Sequence, residues 1–258
     1  MSICIAVANQ KGGVTKTTST YNISALLSKK NYKVLMIDMD AQCSLSISAG
    51  IEVNDKKNSD MSALLQGSKD ANTCIHNLQE NLDIIPSNPL LSGIEENFVA
   101  SKSREGILKR ALKNITNKYD YIFIDCPPQL SLFTVNALVM SQYVLIPCST
   151  TYLSYRGVEL LMNTINEIID LDLNPNLKVM GIVATLYEKQ IKDHREVLDV
   201  MIEKYNIIGI LRKTAEANKG IYSGLPIVLY NPNHPLSKDY EKLVEYISKG
   251  DFINGHKK

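Results

Sequence analysis

A lysine- and glycine-bearing stretch near the start of the chain, residues 11–18, has the residue types and spacing of a phosphate-binding loop. It reads K-G-G-V-T-K-T-T and lies between an apolar run at residues 3–8 and a helical pattern. Backbone N–H groups of such a turn converge on an anion, and the dipole of the following helix adds a favourable potential. Lys16 would place a positive charge on the β- and γ-phosphates of a nucleotide, and the Thr17 hydroxyl would coordinate Mg²⁺. The predicted nucleotide-binding residues are Gly12, Gly13, Val14, Thr15, Lys16, Thr17 and Thr18.

The strict pattern G-x-x-x-x-G-K-[ST] is not met, because Gln10 and Thr15 stand at its two glycine positions. The stretch resembles instead the deviant Walker A loop K-G-G-x-G-K-[ST], whose signature lysine corresponds to Lys11. That loop marks the ParA/Soj and MinD group of P-loop ATPases, and N-Q-K-G-G-V-x-K-T-T is most similar to the ParA/Soj branch. The resemblance implies an ATP hydrolase with ATP and Mg²⁺ as its cofactors.

Thr15 is the departure from this family pattern. A glycine before the loop lysine permits positive φ and a close approach of the backbone to the phosphates. A β-branched residue in the left-handed region costs roughly 1–2 kcal/mol. Because Lys16, Thr17 and most backbone donors remain, we expect nucleotide to bind and turnover or dimer formation to be impaired.

Three carboxylates follow apolar strands. Asp125 ends the run at residues 121–125 and begins a D-C-P-P sequence, and an Asp at this place in P-loop enzymes holds Mg²⁺. Asp38 and Asp40 follow a second apolar run in D-M-D-A-Q, which is similar to the D-x-D-P-Q motif of the family. By that resemblance Asp40 orients the attacking water, while Asp38 supports the loop and the metal. The alternative for these residues is an ordinary turn or cap.

Lys11 takes its expected role from the resemblance. In the family the signature lysine reaches across a sandwich dimer to the phosphates bound by the other subunit, so that ATP joins the two subunits. Lys11 thereby enters the nucleotide-binding set, and Lys11, Lys16 and Asp40 form the predicted catalytic set. The alternative is a solvated loop lysine, which is the common fate of lysines.

Apolar strand candidates alternate with helical patterns along the chain. We predict one P-loop ATPase domain over residues 1–258: an α/β, doubly wound, mostly parallel sheet with helices on both faces. Residues 250–258 are expected to form a flexible tail. Ligands of such sheets lie at the carboxyl ends of the strands, where the motifs fall. The predicted strands are 3–8, 33–38, 82–86, 121–125, 143–147 and 178–186, and the predicted helices are 16–30, 61–66, 101–117, 131–140, 153–170, 190–204 and 236–248.

Composition narrows the class of protein further. The net charge is +1, so any contact with DNA must come from a local basic patch. The five cysteines lack a C-x-x-C pair, which disfavours a disulfide framework or a zinc site. No apolar run approaches the ~20 residues that span a bilayer, and no signal peptide precedes the first strand. A cytoplasmic, nucleoid-associated protein without a membrane anchor is the expectation.

The second half resembles the family less closely, at residues 151–157, 181–188 and 211–232. Family members bind DNA nonspecifically through basic residues in this half and are stimulated by a ParB-like partner protein. An arginine expected after the strand at 178–186 is Gln190 here, and each nearby basic residue is also explained by a solvated surface. The candidate DNA contacts are Lys189, Lys192, Arg195, Arg212, Lys213 and Lys219.

A DNA-partitioning ATPase is therefore the leading hypothesis, and two alternatives stay open. A MinD-like, membrane-cycling ATPase would need a C-terminal amphipathic helix, but Gly250 and Gly255 interrupt this short tail. A nucleotide-binding regulator that no longer hydrolyses ATP would have Thr15 as its lesion. An iron–sulfur reductase of the same fold is disfavoured, since Cys126 belongs to the D-C-P-P strand end.

Overall fold

One sheet of eight strands runs through the described part of the chain, residues 2–53, 59–99 and 103–254 of a computed structural model. The strand order is β3-β4-β2-β5-β1-β6-β7-β8, and all neighbours are parallel except β3, which is antiparallel to β4. The predicted doubly wound α/β fold is confirmed. The strands are β1 (Ile3–Val7), β2 (Val34–Asp38), β3 (His76–Gln79), β4 (Leu82–Ile85), β5 (Tyr121–Asp125), β6 (Tyr143–Ser149), β7 (Lys178–Tyr187) and β8 (Ile207–Arg212).

Helices cover both faces of the sheet, and each face has its own apolar core. The strands β1, β2 and β5 are almost wholly buried, as expected for parallel strands that are covered on both sides. The helices are α1 (Lys16–Lys29), α2 (Ser44–Ser48), α3 (Met61–Leu65), α4 (Leu91–Val99), α5 (Ile107–Ala111), α6 (Leu132–Met140), α7 (Tyr152–Asp170), α8 (Lys192–Lys204), α9 (Ile227–Tyr230), α10 (Pro235–Lys249) and α11 (Asp251–Asn254).

The functional motifs meet at one edge of the sheet because β1 lies between β5 and β6. The loop that follows β1 therefore stands beside the end of β5, where Asp125 lies. Asp38, at the end of β2, pairs in register with Asp125. None of the described helices is long and apolar enough to cross a membrane.

The predicted continuous helix at 101–117 is wrong over its described part. Residues 104–106 form a 3₁₀ turn, α5 is short, and a second 3₁₀ turn covers 116–118. Gly106 weakens a helix at its own position by about 1 kcal/mol. The Leu108 N–H at the start of α5 donates to Asn136 Oδ1 of α6, at 3.1 Å, so a tertiary contact decides where α5 begins. Residues 101 and 102 lie outside the described residues.

Six described strands and α-helices have no counterpart among the predicted elements: β3, β8, α2, α4, α9 and α11. The sequence of β3, H-N-L-Q, is polar, and its antiparallel pairing with β4 makes it a strand. The predicted flexible tail falls in part on residues 255–258, which lie outside the described residues. Before them, α11 places Phe252 in the core, edge-on to Tyr143 with ring centroids 4.7 Å apart.

Candidate nucleotide-binding site

The head of the loop is anchored by Asn9. Its Nδ2 donates to the Pro147 carbonyl of β6 at 2.8 Å, and its Oδ1 accepts from the Lys11 N–H at 3.0 Å. Helix α7 packs its backbone on this anchor through Gly157, where a Cβ atom would lie 2.7 Å from Asn9 Oδ1. The loop head is therefore held between β6 and α7.

Thr15 adopts the left-handed conformation, with φ of 67° and ψ of 28°. The structure thus confirms that this position requires the positive φ that glycine adopts freely. The Thr15 hydroxyl lies 3.5 Å from Ser19 Oγ, which is in turn 3.4 Å from the Tyr240 hydroxyl of α10. Thr15 is therefore strained in its backbone, and its side chain begins a row of hydroxyl groups that leads to α10.

Lys16, the first residue of α1, is buried next to the loop. Its Nζ donates to the carbonyl oxygens of Asn9 and Lys11, both at 3.2 Å. Burial lowers the pKa of Lys16, and the negative charge of Asp125 opposes that shift. The two carbonyl contacts hold the ammonium group at the loop, where a phosphate would lie.

Asp125 and Thr17 are in direct contact. The Thr17 hydroxyl donates to Asp125 Oδ2 at 2.6 Å, whereas Asp125 Oδ1 is buried and has no partner among the described residues. Burial raises the pKa of Asp125 to about 8, and the nearby charge of Asp38 adds to the rise. An orphaned carboxylate oxygen beside a hydroxyl is a donor set that Mg²⁺ accepts. Thr17 and Asp125 therefore fit the predicted metal site.

Asp38 is fully buried, and protein donors occupy both of its oxygens. Oδ2 accepts from the Ser46 N–H at 2.9 Å and from Ser46 Oγ at 2.7 Å, while Oδ1 accepts from the Asp40 N–H at 3.1 Å. Burial raises the pKa of Asp38 to about 6 against the effect of these bonds. Asp38 thus holds the turn that carries Asp40. Direct metal binding by Asp38 stays a prediction.

A cleft of about 530 Å³ opens above the loop. Of the predicted nucleotide residues, Gly12, Gly13, Thr15, Lys16, Thr17 and Thr18 line it, as does Asp40. Val14 is buried beneath it, and Lys11 is exposed and lies outside its walls. Its other lining residues are Ser44, Ser48, Cys126, Pro128, Thr185, Leu186, Leu211, Arg212, Thr214, Ala217, Leu236 and Tyr240.

Sequence reasoning assigned no role to four residues that position the site. Thr185, at the end of β7, donates to the Val14 carbonyl at 3.1 Å and so holds the middle of the loop. Ser46 donates a hydrogen bond to Asp38, and Gly157 leaves room for the side chain of Asn9. The Tyr240 hydroxyl lies near that of Ser19. Gly157 carried a usable signal, because glycine within a long helix is unfavourable unless a close approach requires it.

The six candidate DNA contacts do not form one free basic patch. Lys189, Arg212 and Lys213 line a groove beside β8, Lys192 and Arg195 lie on α8, and Lys219 lies in the 3₁₀ helix Ala215–Ser223. Four of them pair with acidic side chains, and a fifth donates to a backbone carbonyl. The contacts are Lys192–Glu196 at 3.3 Å, Arg212–Asp239 at 2.7 Å, Lys213–Glu188 at 2.8 Å, Lys219–Glu216 at 2.7 Å and Arg195 Nη1 to the Lys189 carbonyl at 2.7 Å.

Comparisons with known proteins agree with this geometry. A family model described as an AAA domain, AAA_31, matches residues 2–179. The sporulation initiation inhibitor protein Soj of Bacillus subtilis is 33% identical over 252 residues, which are 96% of this chain and 99% of Soj. The chain belongs to the ParA/Soj family of P-loop ATPases. The family predicted from the sequence motifs is therefore confirmed.

Two solved structures extend the ParA/Soj comparison to three dimensions. Cobyrinic acid a,c-diamide synthase from Mycobacterium smegmatis, with a bound ATP analogue and magnesium, superposes with a TM-score of 0.84 at 30% identity. The match covers 96% of this chain and 95% of that one. A plasmid partition protein from Borrelia burgdorferi has a TM-score of 0.80 at 28% identity, over 96% of this chain and 99% of its own.

Proposed function

We propose that this ParA/Soj family member is a partition ATPase that ATP switches between two states. ATP with Mg²⁺ joins two copies face to face, the dimer binds DNA nonspecifically, and hydrolysis releases it. A ParB-like partner protein stimulates that hydrolysis. The protein acts in the cytoplasm, on nucleoid DNA.

The observation that carries this proposal is the contrast between two lysines of one loop. Lys16 is buried and lines the cleft, whereas Lys11 is exposed and lies outside the cleft of its own subunit. The Lys11 backbone is nevertheless held at both ends, because its N–H donates to Asn9 and its carbonyl accepts from Lys16. A fixed backbone with an exposed ammonium group suits a contact with phosphates in a second subunit.

Six residues at or beside the cleft have a part in the proposed phosphoryl transfer. Lys16 neutralises charge that develops on the transferred group, and Lys11 of the second subunit adds a further positive charge. Asp40 orients the attacking water, and Asp38 positions Asp40 by accepting a hydrogen bond from the Asp40 N–H. Thr17 and Asp125 would hold Mg²⁺, which when bound neutralises charge on the phosphate oxygens.

Thr15 limits this cycle in our proposal. The left-handed conformation costs a β-branched residue roughly 1–2 kcal/mol, and any shift that relieves this cost moves the neighbouring Lys16. Since 1.4 kcal/mol corresponds to a tenfold change in rate, modest misplacement lowers turnover strongly. Binding depends on many backbone donors and is affected less.

DNA binding rests on the family resemblance and on the basic side chains of the C-terminal half. The ion pairs of Lys192, Lys213 and Lys219 lie at the surface and are weak, so phosphates can replace their acidic partners. The bidentate Arg212–Asp239 pair, whose carboxylate is mostly buried, is harder to replace. Affinity for DNA should therefore fall steeply with salt concentration. Equal affinity at low and high salt contradicts this part of the proposal.

The two alternative functions make different demands on the molecule. A MinD-like membrane cycle needs a free amphipathic segment at the C-terminus, whereas Phe252 is buried against Tyr143. Observation of multiple turnovers of ATP would exclude a regulator that does not hydrolyse ATP. Binding to liposomes in the presence of ATP favours the first of these alternatives over our proposal.

The mass in solution tests the proposed switch. We expect a dimer with ATP and Mg²⁺ and a monomer with ADP, measured by light scattering after gel filtration. Lys11→Ala should stay monomeric with ATP while it still binds nucleotide. Lys113→Ala removes an exposed lysine that does not line the cleft and should dimerise like the unmodified chain. Dimerisation of Lys11→Ala would refute the role of Lys11 between subunits.

A further inference from the structure

Strand β8 forms one edge of the sheet and pairs only with β7 among the described strands. Its sequence, I-I-G-I-L-R, has no proline and no charge before its last residue. Natural proteins protect an edge of this kind with charges, prolines or a covering segment, because a bare apolar edge pairs with other chains. The open side of β8 is therefore available to a further strand.

Backbone groups of β8 point to this open side. The Ile182 N–H donates to the Asn206 carbonyl at 2.9 Å, so the N–H and C=O of Ile207 face away from β7. At the other end of the strand, the Arg212 N–H also faces outward and donates to Asp239 Oδ2 at 3.3 Å. A carboxylate of the protein thus already satisfies one donor of the edge.

A groove of about 1030 Å³ lies along this edge, and we call it the β8 groove. It has about twice the volume of the nucleotide cleft. Its apolar side chains include Ile202 of α8 and Ile210 of β8, which are 53% and 41% exposed. Helix α10 closes its floor, since a Cβ atom on Gly209 would lie 3.2 Å from Leu243 Cδ1. The volume of the groove is sufficient for an extended chain with apolar side chains.

The charge of the β8 groove is positive. Its two acidic residues, Glu188 and Asp239, are already engaged by Lys213 and Arg212. Lys189 and Lys242 are exposed at its rim, and no carboxylate of the described residues pairs with either. A second copy of this groove would bring like charges together, which disfavours pairing of two β8 edges. An acidic ligand is complementary.

We propose that the β8 groove binds an extended, acidic segment of a partner protein, which adds a strand to the edge of β8. Main-chain hydrogen bonds to Ile207 provide affinity, and alternate side chains of the segment provide specificity. Apolar side chains pack on Ile202 and Ile210, and carboxylates face Lys189 and Lys242. The apolar floor of the β8 groove and its outward-facing backbone groups are more complementary to a peptide than to the phosphates of DNA. This inference goes beyond the proposed function, assigns Lys189 to a peptide rather than to DNA, and requires neither ATP nor dimerisation.

Titration with two designed peptides tests this proposal on the full chain with ADP bound. One peptide alternates glutamate and valine over about six residues, which span β8 at ~3.3 Å per residue. Its control replaces every glutamate by lysine. We expect the acidic peptide to bind at least about tenfold more tightly, and its amide chemical-shift changes in NMR spectra to centre on residues 207–212. Absence of binding, or equal binding of the two peptides, overturns the proposal.

Two variants locate the contact. Ile207→Pro removes an outward N–H without removing a hydrogen bond to β7, and it should weaken binding by about tenfold or more. The double variant Lys189→Glu with Lys242→Glu should reverse the preference between the peptides, whereas Lys113→Glu outside the groove should leave it unchanged. A DNA duplex that shifts the same amides and displaces the peptide would identify a nucleic-acid surface instead. All of these measurements use ADP. A failure of the peptide to bind would therefore not affect the separate test of ATP-driven dimerisation.

Discussion

The Thr17 hydroxyl donates a 2.6 Å hydrogen bond to Asp125 Oδ2 and so joins the first turn of α1 to the end of β5. The other oxygen, Oδ1, is buried without a partner among the described residues. A carboxylate that is half satisfied and deeply buried is costly until a cation reaches it. A Mg²⁺ ion bound at this oxygen would offset that cost.

Asp125→Asn should change how stability depends on pH. Burial raises the pKa of Asp125 from 3.8 to about 8. The stability linked to this carboxyl is therefore fully present below about pH 4 and is lost as pH rises through about 8. The asparagine of the variant does not titrate. The free energy of unfolding of the variant minus that of the unmodified chain, measured without nucleotide, should therefore be more than about 1 kcal/mol larger at pH 9 than at pH 5. Urea unfolding at both pH values measures this, and a difference that does not vary with pH would contradict it.

Thr15→Gly should raise turnover more than it changes stability. Glycine removes a strain of roughly 1–2 kcal/mol at positive φ but adds about 0.4–1 kcal/mol of entropy to the unfolded chain. The free energy of unfolding should therefore change by about 1 kcal/mol or less. The rate of ATP hydrolysis should rise about tenfold or more, because glycine adopts the positive φ without a strain whose relief would move Lys16. Steady-state phosphate release compares the two chains, and equal rates would show that Thr15 is tolerated.

Gly157→Ala should disturb the loop head from a distance. The new methyl group would lie 2.7 Å from Asn9 Oδ1, an atom that is buried and bonded to the Lys11 N–H. We expect Asn9 to move and ATP-dependent dimerisation to weaken about tenfold or more, because Lys11 loses its fixed position. Gly93→Ala in α4 is the matched control, since nothing lies within 4 Å of its added Cβ. Gel filtration with ATP distinguishes them, and identical dimerisation would refute the coupling.

Ser46→Ala should destabilise the fold through Asp38. The buried Asp38 Oδ2 would lose its 2.7 Å hydrogen bond from Ser46 Oγ and keep only the backbone donor. Leaving a buried charged acceptor undersatisfied costs about 1–3 kcal/mol. Ser44→Ala, an exposed position at the start of the same helix, should change the free energy of unfolding by less than about 0.5 kcal/mol. Denaturant unfolding without nucleotide checks both values, and equal effects would argue against a special role for Ser46.

Local patterns in the sequence determined the parts of the site that depend on neighbouring residues. A short apolar run followed by a turn predicts the phosphate loop before α1, and it also predicts the acidic residues that end β2 and β5. This pattern is visible in the sequence itself. The backbone requirement at Thr15 was equally local, because φ belongs to a single residue. These features did not need the fold to be known.

Only the tertiary structure decided which of these residues meet. Thr17 and Asp125 are 108 positions apart, and they touch because β1 and β5 are neighbours in the sheet. The contact of Gly157 with Asn9 depends on how α7 crosses the loop. The open edge of β8 depends on strand order, since an apolar strand looks the same in sequence at the centre and at the edge. Packing between distant segments, rather than local preference, sets each of these relationships.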